Sequence, residues 1–154
     1  MALVEENEFM DGVTSVSLAE ERLGFYCSSK ESYRSLGIKL FDRLGVGILA
    51  PGPEGHPLYF SKFIKTLGAG FKPTLTSESY ELLRTAAVEG SIVAVLPSRV
   101  ANRRPNELIE ISPRPISKAP DGNYRIYLVS EPGCSAEENE FLAQEIKSLI
   151  SAQG

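Results

Sequence analysis

One histidine and two cysteines are the side chains of this sequence best suited to chemistry, because imidazole and thiol titrate closest to neutral pH. Cys27 and His56 could serve as nucleophile and base, but no carboxylate is spaced to orient the imidazole. Neither Cys27 nor Cys134 lies in a CxxC pair, and His56 alone could join them as an imidazole ligand, so no metal site is expected. The loop APGPEGHP (Ala50–Pro57) lacks the lysine of a phosphate-binding P-loop, and GAGF (Gly68–Phe71) lacks the dinucleotide-binding spacing. Binding rather than catalysis is the expectation, with no cofactor and no enzymatic activity.

Binding residues are best sought where a helix begins, since its first N–H groups have no partner within the helix. The stretch SESYELLRTAAVEGSIVAVLPSRV (Ser77–Val100) supplies such a start. Ser77 or Ser79 can cap a helix, and Glu78 and Glu81 place negative charge at the positive end of its dipole. Leu82, Leu83, Ala86 and Ala87 recur at helical spacing as one apolar stripe. Gly90 follows the last turn, where glycine tolerates the left-handed conformation. The unbroken run Ile92–Leu96 reads as a strand covered on both faces, as in parallel sheets, and Pro97 ends it. This is the second half of a β-α-β unit. Ligands of such units sit at strand carboxyl ends and helix N-termini, which makes Thr76, Ser77 and Pro97 candidates.

The other elements follow from the same signals. Residues 1–22 show no clear period and read as irregular, with a short strand at Val13–Leu18. Strands are expected at Arg22–Ser28, Val46–Pro51, Lys72–Thr76, Glu107–Ser112 (an alternating edge strand) and Asn123–Glu131. Helices are expected at Lys30–Gly37 with Ser29 as cap, at Pro57–Gly68, in the stretch that begins at Pro97, and after Ser135. Pro113–Gly122 reads as a linker. In the last helix Glu138 completes a capping box with Ser135, and Phe141, Leu142, Ile146, Leu149 and Ile150 form the apolar face. The strands Leu23–Cys27 and Tyr124–Val129 bracket the α/β segment and could pair as a hinge. The lysines Lys62, Lys65 and Lys72 read as a solvated helix face.

The chain has 154 residues, enough for one ordinary domain or two very small lobes. Its 42% hydrophobic and 23% charged residues are those of a soluble globular protein. A net charge of −4 argues against this chain gripping nucleic acid, which takes a basic face. No apolar run approaches membrane-spanning length, so no membrane is expected, and reduced thiols in the cytoplasm are the default.

The stretch TSESYELLRTAAVEGSIVAVLPSRVANR (Thr76–Arg104 without its last arginine) resembles the effector-binding domain of LysR-type transcriptional regulators. Leu82, Leu83, Gly90, Val93, Leu96, Pro97 and Val100 fit the family's helix, glycine, aliphatic strand, Leu-Pro and short helix. EERLGFYCSS resembles the family's first crossover strand, and YRIYLVSEPGCSAEENEFLAQEIKSLI its return strand and last helix. The resemblance covers roughly residues 18–150 and implies an α/β fold of the type-2 periplasmic-binding-protein kind. One complete lobe (29–112) is expected, with hinge strands and part of the other lobe (18–28 and 123–151), in a single domain over 1–154. It also implies a small-molecule effector, anionic by the chemistry of helix N-termini, held between the lobes by Ala50, Pro51, Gly52 and His56 on one loop and Thr76 and Ser77 on another, with Pro97 nearby. His56 is either a donor to that effector, a pH sensor or a plain loop histidine. Cys27 is either a redox sensor or a buried structural thiol, the latter favoured because no basic neighbour in sequence lowers its pKa. A homo-oligomer is implied. The winged helix-turn-helix with which such regulators begin is not seen, so DNA contact is expected only through an N-terminal domain absent from this chain. The alternative is a stand-alone small-molecule binding protein or a dimerising fragment without DNA binding.

Overall fold

The aliphatic run after Gly90 becomes the centre of a sheet. In the computed structural model, which describes residues 2–5, 14–112, 122–130 and 133–152, the elements in chain order are strands β1 (Ala2–Glu5) and β2 (Thr14–Ser28), helices α1 (Glu31–Arg34) and α2 (Lys39–Leu44), β3 (Val46–Leu49), α3 (Leu58–Ile64) with a 3-10 turn Lys65–Leu67, β4 (Leu75–Ser77), α4 (Tyr80–Glu89), β5 (Val93–Pro97), α5 (Ser98–Ala101), β6 (Leu108–Ile111), β7 (Asn123–Ser130) and α6 (Ala136–Ala152). They form two compact units, residues 22–122 and residues 1–21 with 123–154.

In the unit 22–122, every residue of β5 is buried, as an aliphatic run without alternation requires when a strand has both faces covered. β3 lies between β4 and β5 and runs parallel to both, while β5 pairs antiparallel with β2. Helix α4 thus carries the chain from β4 past β3 to β5, the expected β-α-β crossover. Leu83 and Ala87 of α4 pack with Tyr26, Ile92, Ala94 and Leu96 in one core cluster. Gly90 has φ 84° and ends α4. A Cβ there would sit 2.1 Å from the Tyr33 hydroxyl, which donates to the Gly90 carbonyl at 3.2 Å, so both conformation and space select glycine. The ends of the unit are joined: Leu23 N–H donates to the Gly122 carbonyl at 2.8 Å, and a Cβ on Gly122 would meet the Leu23 carbonyl oxygen at 2.3 Å.

In the unit of residues 1–21 and 123–154, β7 pairs antiparallel with β1 and neighbours β2. Leu18, Leu128 and Ala143 form its buried cluster, with Val16, Ile126, Ile146 and Ile150 packed around it. The capping box of α6 is made: Glu138 N–H donates to Ser135 Oγ at 3.1 Å, and Ser135 N–H donates to Glu138 Oε2 at 3.4 Å.

Several expectations are corrected. Residues 14–28 form one strand, not a short strand followed by a second, and Ala2–Glu5 is a strand rather than irregular chain. Phe25 and Tyr26 have partners on both sides, in β5 and β6, so β2 and β7, which are neighbours as expected, meet elsewhere along β2. Ser29 does not cap α1, because its hydroxyl donates instead to the Asn106 carbonyl, and Lys30 takes the cap position. Helix α3 ends at Ile64 and tightens into the 3-10 turn, and Pro57 precedes its first turn rather than opening it. α2 was not legible, because a six-residue helix gives too few turns for a period to show. The linker at 113–121 and the start of the strand expected at Val13 lie outside the described residues.

Candidate functional site

The parallel pairing of β3 with β4 aligns Leu49 with Ser77, so both strands end at the same level. The next N–H, that of Ala50, donates to the Ser77 carbonyl at 2.8 Å. This bond joins the two loops predicted to bind a ligand, Ala50–His56 and Thr76–Ser79, at their roots. Pro97 ends β5 on the other side of β3, so three neighbouring parallel strands stop at Leu49, Ser77 and Pro97. Carboxyl ends of parallel strands form the usual binding edge of α/β sheets.

Each loop is held by local bonds. Gly55 N–H donates to the Gly52 carbonyl at 3.0 Å, closing a turn that leaves Pro51 and Gly52 exposed. His56 Nε2 donates to the Leu49 carbonyl at 2.7 Å, and its ring stacks on Phe60 with centroids 4.6 Å apart. A carbonyl accepts only, so the imidazole carries its proton on Nε2. The predicted loop histidine is therefore half-buried and tethered to β3.

On the second loop, Ser79 rather than Ser77 caps α4, accepting from Leu82 N–H at 3.4 Å. The Ser77 hydroxyl accepts from Ser79 N–H at 3.0 Å and donates to the Ser79 carbonyl at 3.2 Å, which shapes the approach to the helix. Thr76 is exposed, and its hydroxyl makes no hydrogen bond among the described residues. Of the predicted polar side chains, Thr76 is the one free to meet a ligand. Pro97 is buried and shapes the edge only through its backbone.

Two features were not foreseen. Arg84 lies on the buried face of α4, where Nε donates to the Val100 carbonyl at 3.0 Å and Nη2 to Glu107 Oε2 at 2.7 Å. An arginine flanking Leu83 within an apolar stripe is the signal that could have found it, since a buried charge needs a partner. Arg103 pairs with Glu81 in the first turn of α4, so that carboxylate is neutralised beside the candidate edge.

Cys27 is fully buried, and desolvation pushes its thiol up to about 11. Such a thiol stays protonated and unreactive at neutral pH, as a structural cysteine does. Cys134 is exposed, and both cysteines are free. Among the described residues no group of histidine, cysteine and acidic side chains could hold a metal ion, and no helix is long and apolar enough to cross a membrane.

No protein-family model matches the sequence, and no curated protein matches it either. Solved structures do. The reduced regulatory domain of OxyR2 from Vibrio vulnificus superposes with a TM-score of 0.64 at 16% identity, covering 96% of this chain and 70% of that one. The regulatory domain of MetR, a LysR family regulator from N. meningitidis, gives 0.66 at 15% identity over 98% of this chain and 70% of its own. Full-length HypT from Salmonella typhimurium, a hypochlorite-specific LysR-type transcriptional regulator, gives 0.65 at 18% identity, and the match covers 97% of this chain but 52% of HypT. The chain has the α/β fold of LysR-type regulatory domains, which is that of type-2 periplasmic binding proteins.

Proposed function

We propose that this chain is the ligand-sensing regulatory domain of a LysR-type transcriptional regulator and not an enzyme. Its effector is a small anion, bound in the cleft between a lobe of residues 29–112 and a remainder built from 18–28 and 123–151, within one effector-binding domain. Ala50, Pro51 and Gly52 line one side with backbone groups, His56 holds their loop, and Thr76 presents a hydroxyl from the other. Ser77 and Pro97 complete the edge. The supporting observation is the Ala50–Ser77 hydrogen bond, which unites both predicted loops at the carboxyl ends of β3 and β4. In the full regulator, an N-terminal domain reads DNA and the protein works in the cytoplasm as a homo-oligomer. Effector binding favours one arrangement of lobes over another, and the difference in affinity for the two sets the response.

A thermal-shift screen of small carboxylates against the chain, repeated on the Thr76→Ala, Ser77→Ala double variant, tests this. A carboxylate that raises the melting temperature of the parent but not of the variant supports the reading, since ligand stabilises only the state that binds it. Equal stabilisation of both removes Thr76 and Ser77 from the site. Turnover of any carboxylate would contradict the non-enzymatic role.

A further inference from the structure

A cavity lies wholly within the unit 22–122. It is an open groove of about 710 Å³ beside α3 and the 3-10 turn that follows it. This falls in the range of roughly 300–1,000 Å³ typical of small-molecule sites. Ile48, Ile64, Phe71 and Pro73 supply apolar walls. The groove exists because Gly68, at φ 107°, turns the chain away after the 3-10 turn, and the chain rejoins the sheet only where Thr74 N–H donates to the Val46 carbonyl. The stretch 68–73 therefore stands off from β3 and leaves a trough beneath it.

The polar groups in the groove are few and of one character. Lys65 brings a positive charge, and no acidic residue lines the cavity. Among the described residues the Lys65 ammonium has no ion pair and no hydrogen bond, and the residue is exposed, in keeping with its reading as one of a solvated row. His56 and Ser61 are also at the wall, but both are engaged: the imidazole with Leu49 and the Ser61 hydroxyl with the His56 carbonyl at 3.5 Å. A ligand would thus meet one unpaired cation beside a mainly apolar wall.

We infer that this groove binds an amphipathic monocarboxylate, with its carboxylate on Lys65 and its hydrocarbon body against Ile48, Ile64 and Phe71. A dianion would leave one charge without a partner in the groove, and a cation would face Lys65. This site goes beyond the function proposed above and shares only His56 with the edge at Ala50 and Thr76. Because His56 also anchors the loop Ala50–His56, occupancy of the groove would be felt at that loop.

Isothermal titration of the full chain with naphthylacetate, naphthylethanol and naphthylethylamine tests the inference. The expected order is acid over alcohol over amine. Lys65→Glu should weaken the acid at least ~tenfold, whereas Lys72→Glu, a nearby cation that does not line the groove, should leave it unchanged. Ala69→Phe, a wall position exposed on the loop, should fill the groove and abolish binding of all three. Circular dichroism shows that each variant folds, and Lys65→Glu carries the test if Ala69→Phe does not. No binding of the acid at millimolar concentration overturns the inference, as does binding that neither variant reduces. Loss on Ala69→Phe with no change on Lys65→Glu would overturn the carboxylate class.

Discussion

Helices α4 and α6 look alike in sequence and differ in what covers them. Each starts at a serine whose hydroxyl caps it, each carries acidic charge in its first turn (Glu81 in α4, Glu137 and Glu138 in α6), and each has an apolar stripe. α4 buries Leu83 and Ala87 against the parallel sheet. α6 buries Ala143, with Ile146 and Ile150 partly covered, while Phe141 and Leu149 are each 63% exposed and Leu142 is 36% exposed. The expected face of α6 is therefore rotated: the helix packs by Asn139, Ala143, Ile146 and Ile150, and Phe141, Leu142 and Leu149 lie away from the buried cluster. The polar residues tell the same story. Arg84 in α4 has partners for both its Nε and its Nη2, whereas Asn139 in α6 donates to Ser130 Oγ at 2.7 Å and keeps a buried Oδ1 without a partner. Periodicity marks a stripe, but burial depends on the strands available to cover it.

The contrast can be broken by mutation, and the largest effect is expected in α4. Leu83→Ala should destabilise the protein by about 3 kcal/mol in chemical denaturation, because it empties a fully buried site. A loss below about 1 kcal/mol would show that the stripe of α4 is no better covered than that of α6. Arg84→Ala should follow at about 2 kcal/mol, a figure kept below that of a fully buried pair because Glu107 is 32% exposed and can be rehydrated. Asn139→Ala should cost about 1 kcal/mol, since one hydrogen bond is lost and one unsatisfied oxygen is removed with it. The two caps should be equal despite the difference in cover: Ser79→Ala and Ser135→Ala each by about 1 kcal/mol, as caps act locally. Smallest of all, Phe141→Ser with Leu149→Ser should change stability by less than about 0.5 kcal/mol, as exposed sites do. A large, concentration-dependent loss in that double variant would show instead that a second copy covers α6.

Thiol chemistry separates two other regions in the same way. Iodoacetamide at neutral pH should modify Cys134 and spare Cys27 until the protein is unfolded, read by mass spectrometry. The native thiol of Cys27 keeps its proton up to about pH 11, whereas the unfolded chain loses it near the ordinary value of 9.0. The unfolded state therefore binds fewer protons in that window, and the contribution of Cys27 to stability falls as pH rises from about 9 to about 11. Rapid labelling of the folded Cys27 would contradict its burial.

Much of the unit 22–122 was legible because its signals are local. The cap, stripe, glycine and aliphatic run of Ser79–Pro97 each report on a few neighbours, and they agree, save that Leu82, expected in the stripe, is 56% exposed. The candidate edge was legible as two loops, but their union through Ala50 and Ser77 was not, since a register between strands leaves no local trace. His56 illustrates the same gap: its type suggested titration, while its bond to the Leu49 carbonyl comes from the path of the loop. The groove beside Lys65 was hidden for a further reason: Lys65 is exposed, as its reading has it, and only the turn of the chain at Gly68 places apolar side chains next to it. β1 was missed because four residues outside any clear period carry too little pattern.

The hydrogen bond between Leu23 and Gly122 bears on the order in which the molecule is made. It closes residues 22–122 on themselves, so this unit contains its whole chain before residue 123 leaves the ribosome. The other unit is drawn from residues on either side of it, and β7 and α6 are synthesised after it. At roughly 5–20 residues per second, translation of the C-terminal segment takes seconds, longer than many mixed α/β domains need to fold. During that interval β7 is not yet there to pair with β2. A ribosome stalled just after Gly122 has cleared the exit tunnel should therefore hold a protease-resistant core of residues 22–112, while residues 14–21 remain open to cleavage.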